Sequence, residues 1–405
     1  MAYIVFVNPS ILSDAGMPRP AVFAATCLSA ALGTLLMGAF ARYPIALAPG
    51  MGLNAYFTYS VVKGMGVPWE TALGAVFLSG VVFLVLTILG VRQWIVAAIP
   101  AELYAALGAG IGLFIAFIGL KNAGLIQGNA ATLVSIGNLR DPNTALACFG
   151  ILTIAALQAW RVRAAILVGI LATTLMGVLA GLVHWRPLTY HLSDITATAF
   201  HLNIRAAMGL GLLEIVFVFL FVDLFDNVGT LVAVSRKAGL LDEDNRIPRV
   251  NRILLCDATA TIAGSLAGTT TVVSYVESAA GVAAGGRTGV TSVVTGLMFL
   301  MALFIAPLFG AIPSAATAPA LVIVGGLMLS SITEIPWSDE CKAFPAFLTL
   351  ITIPLTFSIA NGLAFGLTSY VLLHLARGRG REVPWAAFPL ALLLMVRFIY
   401  LGNRL

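Results

Sequence analysis

Charge is what this chain has least of. Asp, Glu, Lys and Arg make up 10% of its 405 residues, where a soluble domain carries about 25%. That shortage excludes an ordinary water-soluble domain. The formal charge of +5 is no nucleic-acid footprint, because the basic residues lie in short gaps between apolar runs. Cysteine is scarce too. Cys27, Cys148, Cys256 and Cys341 are scattered, and no pair has metal or redox spacing, so they read as small core residues. Of the four histidines, His184, His191 and His201 share one connecting segment and His374 ends an apolar run, which makes no ligand pattern. No metal and no cofactor is expected. No phosphate-binding loop or nucleophile motif is visible, so neither ATP-driven transport nor catalysis has support. The alternating ten-residue segments of a membrane β-barrel are missing as well.

What fills the chain instead is hydrophobic residue, 60% of the total, with a mean hydropathy of +1.02. The expected class is a polytopic, all-α membrane protein in contact with lipid. Fourteen apolar runs stand out, from Ala2–Leu12 and Ala21–Phe40 to Phe344–Ala360 and Leu363–Leu375. A further run, Trp385–Leu401, contains Arg397 and reads as an interfacial helix. The first run is short and the chain starts inside it. It lacks the basic region and cleavage site of a secretory signal, so a start further upstream is expected.

Charge placement agrees with fourteen spans. With the N-terminus in the cytoplasm, the inside gaps hold fourteen of the 22 basic residues, among them Arg42, Arg161, Arg249, Arg287 and Lys342. The outside gaps hold six: Arg19, Lys63, Lys121, Arg140, Arg186 and Arg205. This is the positive-inside bias, and it places both termini in the cytoplasm of a cell that keeps the protein in its inner or plasma membrane. The long connection His184–Ala207 divides the spans seven and seven. Seven is odd, so the halves run in opposite directions, as two inverted repeats.

Three acids lie within apolar stretches: Asp223 and Asp226 in FVFLFVDLFDNVGTLVAV, and Glu277 in GTTTVVSYVESAAGVAAGG. A carboxylate at membrane depth costs roughly 2.5–3.5 kcal/mol on insertion scales, so such groups line cavities, carry protons or hold substrates. Asp223 and Asp226, three apart, are expected on one helix face. Two segments look broken: Ala48–Phe57 in span three and Gly268–Gly281 in span ten, three plus seven. Each begins with residues that favour extended backbone and then turns helical, with Asn54 or Glu277 near the turn. Pro100 before span five and Pro319 before span twelve repeat nearly the same offset.

Extended backbone in a membrane needs a partner strand, a cavity or a ligand to satisfy it. Two such segments can pair with each other, and the half-helix after each points its free N–H groups at the centre. Backbone donors, backbone acceptors and a carboxylate together suit a planar heterocycle such as a purine. Asp223 and Asp226, in a medium that penalises charge, are candidates to take up a coupling proton. Phe219, Phe221 and Phe225 are candidates for ring stacking, though plain packing is the commoner use of such spacing. Gly108, Gly110, Gly112, Gly325 and Gly326 are expected to allow close helix approach, on a surface where two domains slide.

The stretches MAYIVFVNPSIL, APGMGLNAYF, FVDLFDNVGTL and GTTTVVSYVESAAGVAAGGRTG resemble the signature segments of the AzgA-like purine permeases, within the nucleobase–cation symporter-2 family. The resemblance runs over nearly the whole chain. It implies a uracil-permease-like fold of about 14 transmembrane segments in two inverted seven-helix repeats, with broken helices and short strands in spans three and ten. It also implies core-domain pieces at 1–90 and 208–310 and gate-domain pieces at 91–207 and 311–405. By the same resemblance Glu277 is the main purine-binding carboxylate, Asp226 faces it, Asp223 lies one turn earlier, and Asn54 contributes from span three. Their neighbours Ser274, Tyr275 and Ala55 join them as candidate contacts. The uracil and xanthine branch carries glutamate at the position of Asp226. The implied activity is import of adenine, guanine or hypoxanthine by proton symport. The residues alone do not select among the purines, and a homodimer is compatible with them. Two other classes would leave different marks in the sequence. An anion transporter or channel of the same fold would call for Lys or Arg beside the span-three and span-eight motifs, and none is there. A membrane enzyme would need a nucleophile–base pair or a metal cluster.

Overall fold

The computed structural model describes residues 1–90, 100–183, 192–209, 213–240, 247–304 and 312–401. Within these residues the chain is mostly helical. The first half contains α1 (Ile4–Ser13), α2 (Arg19–Leu36), strand β1 (Leu47–Pro49), α3 (Met51–Ala55), α4 (Trp69–Ile88), α5 (Ala101–Asn122), a hairpin of β2 (Ile126–Asn129) and β3 (Leu133–Ile136), α6 (Pro142–Ala159) and α7 (Ala165–Leu179). The second half contains α8 (Leu213–Ala238), α9 (Val250–Ala267), β4 (Val272–Ser274), α10 (Ser278–Ala283), α11 (Gly289–Phe304), α12 (Ser314–Met328), α13 (Glu340–Thr356), α14 (Ile359–Ala376) and α15 (Ala387–Leu401). Wider π-type turns extend α2 through Met37–Ala41 and α3 through Tyr56–Val62. Each of the fourteen apolar runs carries one helix. Among the described residues, 6 helices are long and apolar enough to cross a membrane by length and composition alone. The rest are shorter, broken or more polar.

The hairpin β2–β3 has no counterpart in the sequence pattern. It stands exposed between α5 and α6, and its alternation is too brief to signal a strand pair. Pro319 lies inside α12, not before it. The residue that caps α12 as Pro100 caps α5 is Pro313. Proline lacks the N–H that a helix start leaves unpaired, so it fits there at no cost. Pro319 meets α6 at Gly150, where an added Cβ would lie 2.7 Å from the ring. The glycines of α5 and α12 allow the close helix approach expected of them. Gly112 and Gly325 hold these two helices together: a Cβ on Gly112 would lie 2.7 Å from the Gly325 carbonyl oxygen. The expected loop Ser235–Val250 and the connection His184–Ala207 lie partly outside the described residues, as does the side chain of Phe225.

The helices pack in two groups. In one, α2 packs on α1, α9 and α11, and α4 packs on α8 and α9. In the other, α5 packs on α12, α13 and α14, and α12 packs on α6 and α7. The groups meet where α1 touches α12 and α3 touches α5. Polar contacts join them at the end where α1 and the α3 extension finish. Asn122 Nδ2 donates to Tyr59 Oη at 2.9 Å, and that hydroxyl donates to Asp14 at 2.7 Å. Arg19 donates to the Ile312 carbonyl at 3.2 Å, Ser10 meets Thr317 at 3.3 Å, and Ser60 donates to the Phe357 carbonyl. At the opposite end, Arg379 bridges Asp339 and Glu382 within the second group, each contact 2.8 Å. That guanidinium holds the Asp339 carboxyl below its ordinary range.

The glycine contact yields a test. Gly112→Val places methyl groups where the Gly325 backbone now sits, and overpacking of this kind costs typically about 1–3 kcal/mol. The purified variant should melt several degrees below the parent. Gly326→Ala meets open space within 4 Å and should melt as the parent does. Equal melting of both variants would refute the close-approach role.

Candidate functional site

The site grows from two interruptions. Pro49 and Gly50 cannot continue a helix well, and the Thr-rich, β-branched Thr269–Val273 favours extension. The two extended pieces pair antiparallel, with Leu47 opposite Ser274, Ala48 opposite Val273 and Pro49 opposite Val272. Flanking bonds lengthen the ladder: Gly50 N–H donates to the Thr271 carbonyl and Tyr275 N–H to the Ala46 carbonyl, both at 3.0 Å. A two-stranded sheet leaves two outer edges, and here those edges are buried. At the first residue of each strand the edge is closed by a threonine. Thr34 of α2 donates to the Leu47 carbonyl and accepts from the Leu47 N–H, both at 2.9 Å. Thr261 of α9 does the same for Val272, at 3.1 and 3.2 Å. The helix that precedes each strand thus supplies the same device to the first residue of that strand.

Beyond β4 the chain turns through Tyr275 and Val276 to Glu277, which stands at the start of α10. Glu277 is half-buried, and Val276 beside it is 55% exposed. The Tyr3 hydroxyl, on the residue before α1, donates to Glu277 Oε1. Tyr275 lies buried, with its hydroxyl on the Pro49 carbonyl at 2.5 Å. Asp226 on α8 is half-buried and close enough to Glu277 for their charges to interact. Among the described residues neither carboxylate forms a salt bridge with lysine or arginine. Asn54, on α3, accepts from the Thr270 hydroxyl. Its buried Nδ2 has no hydrogen-bond partner among the described residues, nor has the buried Ser274 hydroxyl. Ala55 is buried at the end of α3.

Asp223 sits elsewhere. Three residues along a helix turn the direction by about 60° net, which is enough to separate it from Asp226. Its side chain accepts from Asn227 Nδ2 at 2.7 Å, and the same amide reaches Asp257 Oδ2 of α9 at 2.6 Å. Asn227 Oδ1 in turn accepts from the Ser274 N–H at 2.8 Å. Asn227 therefore ties α8 and α9 to β4. Asp257 is fully buried, and sequence reasoning missed it. The signal was present, since an acid in LLCDATATIAGSL satisfies the same test that picked Asp223. Thr34, Thr261 and Tyr3 were missed too. A threonine in an apolar helix has many bland uses, and nothing local links Tyr3 to Glu277. Of the stacking candidates, Phe219 packs on Tyr56 and Phe57 at 5.3 and 6.5 Å, and Phe221 stacks on Phe217 at 5.2 Å. Both are packing residues here.

Residues 1–365 match the Permease family, the xanthine/uracil permeases. The chain belongs to this family. It is a multi-pass membrane transporter and not an enzyme. The chain is 44% identical over 401 residues to the adenine permease AdeP of Escherichia coli (strain K12), covering 99% of this chain and 90% of AdeP. It is also 44% identical over 413 residues to the guanine/hypoxanthine permease PbuG of Bacillus subtilis (strain 168), covering 99% of this chain and 94% of PbuG. Its fold is similar to the transmembrane domain of the cyanobacterial bicarbonate transporter BicA, with a TM-score of 0.67 at 16% identity over 90% of this chain and 95% of that one. That likeness establishes the inverted-repeat fold and says nothing of the cargo.

The threonine clamps are directly testable in this permease. Thr261→Val keeps the shape but leaves a buried N–H and carbonyl of Val272 without this partner, a loss of about 1–3 kcal/mol. Thr261→Val and Thr34→Val should each lower the melting temperature of purified protein. Unchanged melting in both would show that the strand edges do not need them.

Proposed function

We propose that this permease imports purine nucleobases, adenine, guanine or hypoxanthine, by proton symport with alternating access. The observation that carries the reading is the meeting of a carboxylate, Glu277, with the β1–β4 backbone and two half-helices. A planar heterocycle with ring N–H groups complements a charged acceptor and backbone partners in one plane. Asn54 Nδ2 and the Ser274 hydroxyl, which have no partner among the described residues, supply further polar contacts. The purine permeases AdeP and PbuG, at 44% identity over almost the full chain, support the substrate class. An anion is disfavoured, because Glu277 and Asp226 would repel it and, among the described residues, no lysine or arginine is paired to them.

In this reading Glu277, Asp226, Asn54, Ser274, Tyr275 and Ala55 surround the base. Asp226 and Asp223 are the candidates for the coupling proton. Fourteen segments cross the cell membrane with both termini in the cytoplasm. Residues 1–90 and 208–310 form a core that moves against a gate of 91–207 and 311–405. The two packing groups and the polar contacts at one end of their junction support such a motion. The partial burial of Glu277 and the exposure of its neighbour Val276 support access to the site from the other end.

Two measurements decide the reading. In cells lacking their own purine permeases, Glu277→Gln should weaken purine binding by about ten- to a hundredfold, since a charge-assisted hydrogen bond is worth about 1.5–3 kcal/mol and 1.4 kcal/mol is tenfold. Unchanged affinity in purified Glu277→Gln protein would falsify the assignment. For coupling, uptake should rise as external pH falls and collapse with a protonophore. Asp226→Asn should express normally and lose accumulation against a gradient. Wild-type accumulation by that variant, or sodium dependence with no response to the protonophore, would sink the proton role.

A further inference from the structure

We propose that Tyr3 is a specificity-determining residue: by donating its hydroxyl to Oε1 of Glu277 it fixes the carboxylate and presents Oε2 to the base. The inference rests on the purine reading above. Three observations carry it. The Tyr3 hydroxyl is bonded to the carboxylate across 274 positions of sequence. Tyr3 is 3% exposed, so the phenol cannot swing into water to release the carboxylate. Its anchorage is rigid, because α1 is pinned to the strand assembly from within. Buried Asn8 donates to Thr26 of α2 at 2.7 Å and to Thr269, just before β4, at 2.9 Å. The phenol is thus held by the same strand assembly that positions Glu277.

The consequence is chemical selection among purines. A free glutamate carboxylate rotates and offers both oxygens side by side. Guanine presents N1–H and its 2-amino group as adjacent donors and grips such a carboxylate in a bidentate manner. Hypoxanthine lacks the 2-amino group and presents N1–H alone on that edge. A carboxylate held by Tyr3 favours the single donor, for its acceptor is already aimed before the base arrives. Without the phenol, hypoxanthine must orient the carboxylate at its own expense. Guanine does so through its second donor and also gains access to the oxygen that Tyr3 held. Tyr3→Phe removes one atom and keeps the ring, so the wall of the site stays in place.

The experiment is inhibition of labelled-purine uptake by unlabelled guanine and hypoxanthine, in wild type, Tyr3→Phe, Glu277→Asp and the double variant. The readout is the ratio of the two inhibition constants, which does not depend on how much folded protein reaches the membrane. Tyr3→Phe should shift the ratio toward guanine by about fivefold or more, a fraction of one charge-assisted hydrogen bond. Glu277→Asp withdraws the carboxylate from the phenol, so adding Tyr3→Phe to it should change the ratio by less than about twofold, as expected when the coupling runs through that contact. A ratio unchanged in Tyr3→Phe, or shifted equally in both backgrounds, overturns the role of Tyr3 and leaves the purine reading standing. Where Tyr3→Phe transports too little to score, the same ratio is read from guanine- and hypoxanthine-induced thermal shifts of purified protein. Wild-type protein that responds to adenine alone overturns the guanine–hypoxanthine selection by Tyr3, and one that responds to none of the three bases overturns the purine reading itself.

Discussion

Everything at the centre of this permease depends on one constraint: backbone N–H and C=O groups within lipid must be bonded inside the protein. A continuous helix meets that requirement with its own residues. At Leu47–Pro49 and Val272–Ser274 the chain gives up the helix, and the demand passes to other elements. The two strands satisfy each other on their inner edges. Thr34 and Thr261 satisfy the outer edges, each with a single hydroxyl that donates and accepts. Asn227 takes the N–H of Ser274, and Ser278 takes the N–H of Ala46. The broken helices are therefore a closed polar assembly in an apolar surround. Partly satisfied, such an assembly would be worse than a plain helix; satisfied almost throughout, it is rigid.

Rigidity at that place has a use. Ending the helices at the centre leaves half-helix starts, and the chain turns there at Glu277. The same closure that satisfies the strands leaves polar atoms of Asn54 and Ser274 without partners among the described residues. The contrast separates two kinds of polar residue in the region. Asp223, Asn227, Asp257 and the two threonines bond to one another and to backbone, and hold the frame. Glu277, Asp226, Asn54 and Ser274 stand at the edge of that frame, with capacity to spare. In the proposed function the first set builds, with Asp223 also a candidate for the coupling proton, and the second set binds.

Much of this was legible in the chain. Long apolar runs announce helices because a helix in lipid has no polar side to interrupt the pattern, and each of the fourteen runs carries one. The two interruptions were legible for the opposite reason: Pro49, Gly50 and the Thr-Val run of residues 269–273 suit extended backbone and nothing else in a membrane. The spacing between them predicted that they would meet. What remained hidden was pairwise. Whether Asp223 shares a cavity with Asp226 depends on which neighbour each meets, and a helix offset of three residues leaves that undecided. Pro319 looked like a helix boundary because proline often is one. In α12 its ring instead fills the notch opposite Gly150, so packing with another helix overrode the local signal.

The same logic explains why the site residue hardest to foresee is Tyr3. Acids within apolar runs advertise themselves through cost, since lipid tolerates them only for a reason. A tyrosine carries no such cost, and its ring belongs equally well in any membrane core. Only the fold reveals that its hydroxyl ends on the carboxylate of Glu277. Costly groups mark where a transporter acts; cheap groups decide how, because they can hold a costly one in a chosen orientation without adding charge. A second carboxylate or a lysine at the position of Tyr3 would have neutralised or repelled Glu277. A neutral donor steers it and leaves its charge for the cargo.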